Sequence, residues 1–406
     1  MRELQVPLEV TLLCRLCGQL TTRFLSLGTC PSPNRLLTPD QLGQDEPAYP
    51  MDLTFCENCW VVQSEATIPP EDIFVEYPYA SSHSMTTRAH FQGLAEALVK
   101  DYGLGPNSVV VEIASNDGVL QRPLRDRGIR AIGVEPATNI CQLAWRDGLG
   151  TFNEFFTAET VDKLGQGSAD AVVACNVFAH IPEFGPVLSA THKLLKPDGI
   201  LVIEVEYLSD IMRQCAYGNF YQDHLFYWSI SALAKVLSHY GFRAFAAQLI
   251  PTQGGSVRVV ADKRRRRVKH SLALVLHREV SLAFLETYQS FATSVALSRQ
   301  RLERLLSRLR EHHRIAGYGA AAKGISVLNY CKIGPETLSY IVDDSPHKQG
   351  HLTPGNHIPI VVAEKLREEP VDYLLVLAWN MVAEIKAKTS GLHLKYIDPV
   401  TCQVSE

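Results

Sequence analysis

At 406 residues, with 46% apolar and 20% charged side chains, the chain is long enough for two or three packed domains of ordinary globular composition. A formal net charge of -4 argues against nonspecific nucleic-acid binding, and no apolar run reaches the roughly 18 residues of a membrane span. The opening Met1-Arg2-Glu3-Leu4 lacks a basic segment leading into an apolar core, so no secretory signal is expected and a cytoplasmic location follows by default.

Residues 1–75 form the first expected block, rich in Pro, Thr and Leu. It holds four of the ten cysteines as two C-x-x-C pairs, Cys14 with Cys17 and Cys56 with Cys59. Two such turns facing each other supply the tetrahedral sulfur that Zn²⁺ prefers, and a small Pro-rich block gains stability from a metal staple. The 38 residues between the pairs require an elaborated insert. Redox-active C-x-x-C turns are the alternative reading. No His neighbours either pair to activate a water, so the zinc is expected to be structural. The other cysteines, Cys30, Cys141, Cys175, Cys215, Cys331 and Cys402, stand singly among apolar residues and are expected to be packed thiols.

Residues 76–262 alternate short apolar runs with helical patterns, as repeated strand–helix–strand units do. The runs at 109–113, 131–135, 171–175 and 200–204 read as parallel strands, showing nearly continuous apolar residues because both faces are buried. The first is followed by Ala114-Ser115-Asn116-Asp117-Gly118, a tight turn where a doubly wound sheet binds its cofactor. The turn is not G-x-G-x-x-G, which weakens the case for a dinucleotide. Asn116, Asp117 and Gly118 suit a tail approaching the backbone. Glu135, followed by Pro136, ends the next strand, where a carboxylate can accept both hydroxyls of a ribose; a solvated strand end is the alternative. Asn153-Glu154-Phe155-Phe156 offers polar and aromatic contacts for an adenine, and Asn176 ends the fourth strand. The set suits S-adenosylmethionine better than NAD. Beyond it, Phe220-Tyr221-Gln222-Asp223-His224-Leu225 places a phenol, a carboxylate and an imidazole between apolar neighbours. Proton chemistry with His224 as base is the natural account; a partly buried structural histidine is the bland one.

The basic run at 263–267 marks a boundary and is expected to be a solvated linker, with contact to anionic phosphates as the alternative. A helical pattern free of Gly and Pro runs from about 271 to 312. In the last block, 263–406, a strand leads into Gly317-Tyr318-Gly319-Ala320-Ala321-Ala322-Lys323-Gly324 and a helix. Such a turn suits a pyrophosphate, with Lys323 adding positive charge and Asp343 and Lys348 following after the next strand.

Together these residues resemble the three-domain sugar C-methyltransferases of deoxysugar biosynthesis. The resemblance covers nearly the whole chain. It rests on the paired C-x-x-C turns, Tyr77-x-Tyr79-x-Ser81-Ser82, the segment from Glu112 to Gly118, and Asn176-Val177-Phe178-Ala179-His180-Ile181. It continues through Tyr221 to His224, Gln253-Gly254-Gly255-Ser256 and the turn from Gly317 to Gly324. It implies an N-terminal zinc-binding domain, a central class I Rossmann-like methyltransferase domain and a C-terminal Rossmann-like α/β domain. It also implies methyl transfer from S-adenosylmethionine to a ring carbon of a nucleotide-linked 4-keto-6-deoxysugar, with the last domain holding the nucleotide-diphosphate end through Gly319, Lys323, Asp343 and Lys348.

Methylating carbon needs a carbanion equivalent, which a ketone supplies when a neighbouring C–H loses its proton. His224 is then the base, with Asp223 orienting it or binding the sugar. Tyr221 and Tyr79 are candidate donors to the enolate oxygen, and His180 is a second base or donor. The family pattern His-Glu-His is replaced by Gln222-Asp223-His224, which leaves the substrate open. Two other readings stand: a bifunctional enzyme that also reduces the ketone with NAD(P)H, and a non-catalytic zinc-containing interaction protein. Oligomeric state is not legible, and a monomer is the default.

Overall fold

The structure, a computed structural model, describes residues 12–65, 80–264 and 266–406. Tyr77 and Tyr79 fall outside the described residues. The described residues form the expected α/β architecture as three sheets with flanking helices.

The first sheet is antiparallel, in the order Thr22–Pro31, Ala48–Phe55, Val62–Ser64 and Phe226–Tyr227. Its last strand comes from far along the chain and pairs Val62 with Tyr227. The second sheet runs Arg243–Ile250, Ser256–Asp262, Leu195–Glu206, Ala169–Cys175, Val109–Ile113, Arg130–Val134, Thr151–Phe152. Its last five strands are parallel, and the Ser256–Asp262 strand turns antiparallel against Leu195–Glu206. Successive residues point to opposite faces and both faces are covered. Val111, Ile113, Val172 and Ala174 pack into one core, while Val110, Ala171 and Val173 pack into the other. That is why the central positions of these strands are mostly apolar, with acids such as Glu112 and Glu206 placed towards their carboxyl ends. The third sheet has five parallel strands, with Ile315–Tyr318 central, and one antiparallel edge strand, Val404–Ser405.

Glu112 sits opposite Gly133 on one side and Val173 on the other, so the chain leaves the Val109–Ile113 strand at the point where strand order reverses. Doubly wound sheets open a ligand crevice there, beyond the carboxyl ends of the strands.

Two sequence expectations are corrected. The helical pattern from 271 to 312 is two helices, His270–Arg278 and Leu285–Leu309, with a 3₁₀ turn at Val280–Ala283 between them. Glu279 breaks the run because its buried carboxylate accepts the N–H groups of Ile230 and Ser231, both at 2.7 Å, at the start of the Ile230–His239 helix. The basic run is not a free linker. Lys263 donates to the carbonyls of His192 and Leu195, and Arg266 pairs with Asp262 at 3.1 Å. Among the described residues no helix is long and apolar enough to cross a membrane.

One apolar core joins all three parts of the chain. Phe55, Tyr217, Phe220, Tyr227, Tyr288, Phe291 and Leu375 belong to it, with the rings of Phe55 and Tyr288 stacked 4.3 Å apart. The first sheet, the stretch before His224 and the long helix are therefore held as a unit by burial at roughly 25 cal/mol per Å² of apolar surface.

Candidate active site

The turn after Ile113 is bent by three left-handed residues, Ala114 (φ 54°), Asn116 (φ 50°) and Gly118 (φ 81°). Left-handed Ala is uncommon and costs on the order of 1 kcal/mol, a strain typical of ligand-binding turns. At Gly118, with φ 81°, a Cβ would lie 2.2 Å from Leu149 Cδ1, so a larger residue would be strained and would displace that side chain. The Glu135 carboxylate braces the turn, accepting the N–H groups of Asn116 and Ala137 at 2.9 Å each. Asn116 Oδ1 accepts the N–H of Ser81, and Asp117 Oδ2 that of Ser82.

A cavity of about 540 Å³ opens over this turn. Asn116, Glu135, Pro136 and Asn176 line it, and so do His180, Tyr221, Asp223 and His224. Donor and proton-transfer candidates separated by more than a hundred residues thus share one space. Phe155 and Phe156 line it as well, but Asn153 does not. The Asn153 amide donates instead to the carbonyls of Glu135 and Pro136 at 3.0 and 2.9 Å, fixing the loop behind the pocket. Asp117 and Gly118 shape the turn from beneath.

His224 is 6% exposed. Its Nε2 lies 2.9 Å from the Tyr221 hydroxyl, and its ring meets that of His180 edge-on at 4.8 Å. Burial, helped by the neighbouring His180, pushes its pKa well below the ordinary histidine value. Burial lowers His180 as well. Near neutrality both rings are uncharged, the state a base must start from. His180 Nδ1–H donates to the Asp223 main-chain carbonyl at 2.6 Å, which fixes its tautomer.

Asp223 does not orient His224, contrary to expectation. Its carboxylate turns to the first sheet, where Ser32 Oγ donates to Oδ1 at 3.0 Å and Asn34 Nδ2 to Oδ2 at 2.5 Å. Gln222 is buried and donates to the Cys30 carbonyl at 3.0 Å. The segment from Tyr221 to His224 is therefore pinned to the N-terminal hairpin, and Asn34 reaches the cavity wall.

The Gly317 to Gly324 turn is likewise not the anion cradle expected. Asp343 Oδ2 accepts the Ala320 N–H at 2.7 Å, where a phosphate would sit, and Oδ1 accepts the Ser345 N–H. Lys348 donates to the Ala320 carbonyl at 2.8 Å and pairs with Asp343 at 3.5 Å. Past Gly319 the turn is closed on its own side chains, and the Asp343 carboxylate is not free for a ribose. Lys323 leaves this cluster. It bonds Asn380, stands over the Trp379 ring at 4.6 Å and is drawn by the charge of Glu206 on the cavity wall. The close approach is made at Gly218, where a Cβ would lie 2.3 Å from the Lys323 carbonyl.

The four N-terminal cysteines converge. Their sulfurs all lie within 4.8 Å of one another, with contacts of 3.1 to 3.6 Å. Bonds of 2.3 Å in a tetrahedral zinc site place sulfurs about 3.8 Å apart, close to this spacing. All ten cysteines are free of disulfides.

Family models match the chain in three stretches: a zinc binding domain at residues 14–74, a methyltransferase domain at 87–246 and a C-methyltransferase C-terminal domain at 251–396. The C-methyltransferase NovU of Streptomyces niveus is 32% identical over 380 residues, 92% of this chain and 90% of that one. The chain belongs to the S-adenosylmethionine-dependent C-methyltransferases. Two solved structures each match less than half of the chain. The PH0226 protein of Pyrococcus horikoshii OT3 is 15% identical over 48% of this chain and 96% of its own, with a TM-score of 0.39. Magnesium protoporphyrin IX methyltransferase of Synechocystis PCC 6803 with bound SAM is 17% identical over 43% and 78%, with a TM-score of 0.34. A likeness that slight carries no argument.

The residues fit the methyl donor of this family. Glu112 lines the cavity fully buried, and its Oε2 has no hydrogen-bond partner. Burial, then Glu135 and Asp117, push its carboxyl well above the usual range. Three acids around one turn call for a cation, and S-adenosylmethionine carries an ammonium and a sulfonium. Each Glu135 oxygen also keeps a lone pair for a ribose hydroxyl. Glu135→Ala is expected to weaken donor binding by about 1–3 kcal/mol, measured by calorimetry. An unchanged dissociation constant would remove Glu135 from the donor site. The four thiolates fit Zn²⁺ equally, since only a dication allows all four to ionise at this spacing.

Sequence reasoning passed over Glu112, Glu206 and Asn34 as cavity residues. The two acids had a signal, each lying near the carboxyl end of a parallel strand where such folds bind ligands. Asn34 had none.

Proposed function

We propose that this C-methyltransferase acts on a ring carbon next to the keto group of a nucleotide-linked 4-keto-deoxysugar, through an enolate formed by His224. The observation that carries the reading is a buried, neutral His224 bonded to Tyr221 in the same cavity as the donor turn. S-adenosylmethionine supplies a methyl already activated on a sulfonium, so the demanding step is removal of the carbon-bound proton.

His224 Nε2 accepts that proton, and the Tyr221 hydroxyl, which donates to the same nitrogen before substrate binds, turns to the enolate oxygen. An aligned general base contributes about 10²–10⁴-fold. His180, tethered to the Asp223 carbonyl, backs the His224 ring. Holding enolate and methyl in line supplies much of the rest. On this reading residues 1–75 bind zinc and brace the catalytic segment. Residues 76–262 bind the donor and carry the chemistry, and 263–406 close the site through Lys323.

The test is a panel of nucleotide-linked ketosugars deuterated beside the carbonyl, incubated with labelled donor and read by mass spectrometry. Label on that carbon with loss of deuterium is expected. Label on oxygen or nitrogen with deuterium retained would end the proposal.

A further inference from the structure

With Asp223 turned away to Ser32 and Asn34, the base needs a different carboxylate partner. One stands on the other side of the ring. Glu206 ends the Leu195–Glu206 strand and lines the cavity. Its Oε2 lies 3.8 Å from His224 Nδ1. That same oxygen is buried and has no hydrogen-bond partner, a state native proteins seldom leave unexplained. At 3.8 Å it is too long for a hydrogen bond to a neutral ring, yet it is an ion-pair distance once the ring is charged.

We propose that Glu206 is the positioning carboxylate of the proton-abstraction step, favouring the Nδ1–H tautomer of His224 and balancing the imidazolium that forms when Nε2 takes the substrate proton. The inference rests on the enolate reading above. The substrate C–H bond breaks, its electron pair moves onto the carbonyl oxygen, and the proton goes to Nε2. Glu206 acts in its ionised form, and its own proton count does not change during the step. The enolate carbon then gains the methyl as the sulfonium becomes a neutral thioether, and His224 returns its proton to solvent.

Among the described residues, the charged and titratable groups facing the pair come from several elements. His224, Tyr221 and Asp223 come from the catalytic loop, Tyr227 from the strand after it, and His180 from the loop after Ala169–Cys175. The Asn219 carbonyl favours protonation of the His224 ring, and the Asn219 side chain bonds Glu206. Lys323 arrives from the C-terminal helix. Burial raises the Glu206 carboxyl to about 7, against the opposing pull of Lys323 and Asn219. Its ionisation falls in the range where the enzyme would work. The Lys323 ammonium is itself lowered to about 8 by burial. Lys323, from the C-terminal part of the chain, thereby partly offsets the effect of burial on Glu206.

The test compares wild type, Glu206→Gln and Glu206→Asp in the full chain. Glu206→Gln keeps the shape and removes the charge, so kcat should fall roughly 10–100-fold with KM for the donor unchanged, and Glu206→Asp should recover part of it. The acidic limb of the pH–rate profile should move away from pH 7. Folding is controlled at about pH 8, where an ionised Glu206 with a raised pKa opposes folding and Glu206→Gln should melt no lower than wild type. Independently of any substrate, ¹⁵N-histidine NMR should show the His224 ring titrating at lower pH in Glu206→Gln, by about one pH unit. An unchanged His224 titration overturns the inference. A shifted titration with no deuterium loss from any ketosugar supports the pairing and overturns the substrate reading alone.

Discussion

His224→Asn should lower kcat by about 10²–10⁴-fold and leave affinity for S-adenosylmethionine essentially unchanged, since asparagine can still meet Tyr221 but cannot accept a proton near neutrality. The donor turn is built from Ala114 to Gly118 and Glu135, none of which bonds His224. Single-turnover kinetics with calorimetry separates the two quantities. Comparable turnover in the variant would take His224 out of the chemistry.

The same ring carries a pH signature. Its folded pKa is depressed by burial and by His180, while in the unfolded chain the ring titrates near the ordinary histidine value of about 6.5. The folded state therefore binds fewer protons below that value. The stability this neutral ring contributes is present above about pH 6.5 and is lost as pH falls towards the folded pKa. Between about pH 7 and 5 the melting temperature of wild type should drop more than that of His224→Asn. An equal drop would mean that the ring is not held neutral by its surroundings.

Removal of zinc should have the second large effect, although the metal lies away from the cavity lining. The four-cysteine cluster anchors the base of the first sheet, whose third strand pairs with Phe226–Tyr227 and whose Ser64 N–H donates to the Leu225 carbonyl. The hairpin from the same sheet holds Gln222 through Cys30, and Asp223 through Ser32 and Asn34. Structural zinc contributes folding free energy outright, with apparent binding of roughly 10–16 kcal/mol in small zinc-finger peptides. Chelation, or Cys56→Ser, should release this sheet, raise hydrogen exchange across residues 221–227, and abolish turnover while donor binding survives in part. Full activity in protein shown by elemental analysis to be zinc-free would refute the coupling.

Much of the donor half of the site was readable from residue order, because it depends on local rules. A buried parallel strand must be apolar on both faces, and the tight turn after it must hold small or Asx residues. The carboxylate one strand later must then fall beside that turn. Val109 to Gly118 and Glu135 follow these rules except at Glu112, a buried acid within the strand. The C-x-x-C pairs were legible for a similar reason, since metal coordination constrains residue type and spacing together.

The proton-transfer half was only partly legible. His224 and Tyr221 stood out as polar residues in an apolar stretch, yet the acid expected either to orient the base or to bind the sugar was Asp223, its neighbour in sequence. The fold sends that carboxylate to a hairpin about 190 residues earlier and brings Glu206 to the imidazole instead. The C-terminal turn misled in the same way. Its glycines and Lys323 read as a phosphate cradle, but Asp343 folds back to take the N–H that an anion would need.

Residue order alone thus specified the sheet, the tight turn after Ile113 and the four-cysteine cluster, because strand periodicity, turn sterics and thiolate coordination act over a few residues. Packing settled which acid faces His224, which anion fills the last turn, and that the N-terminal hairpin grips the catalytic loop. Those outcomes depend on side chains meeting across distant segments, where burial and hydrogen-bond satisfaction choose among partners that local patterning leaves equivalent.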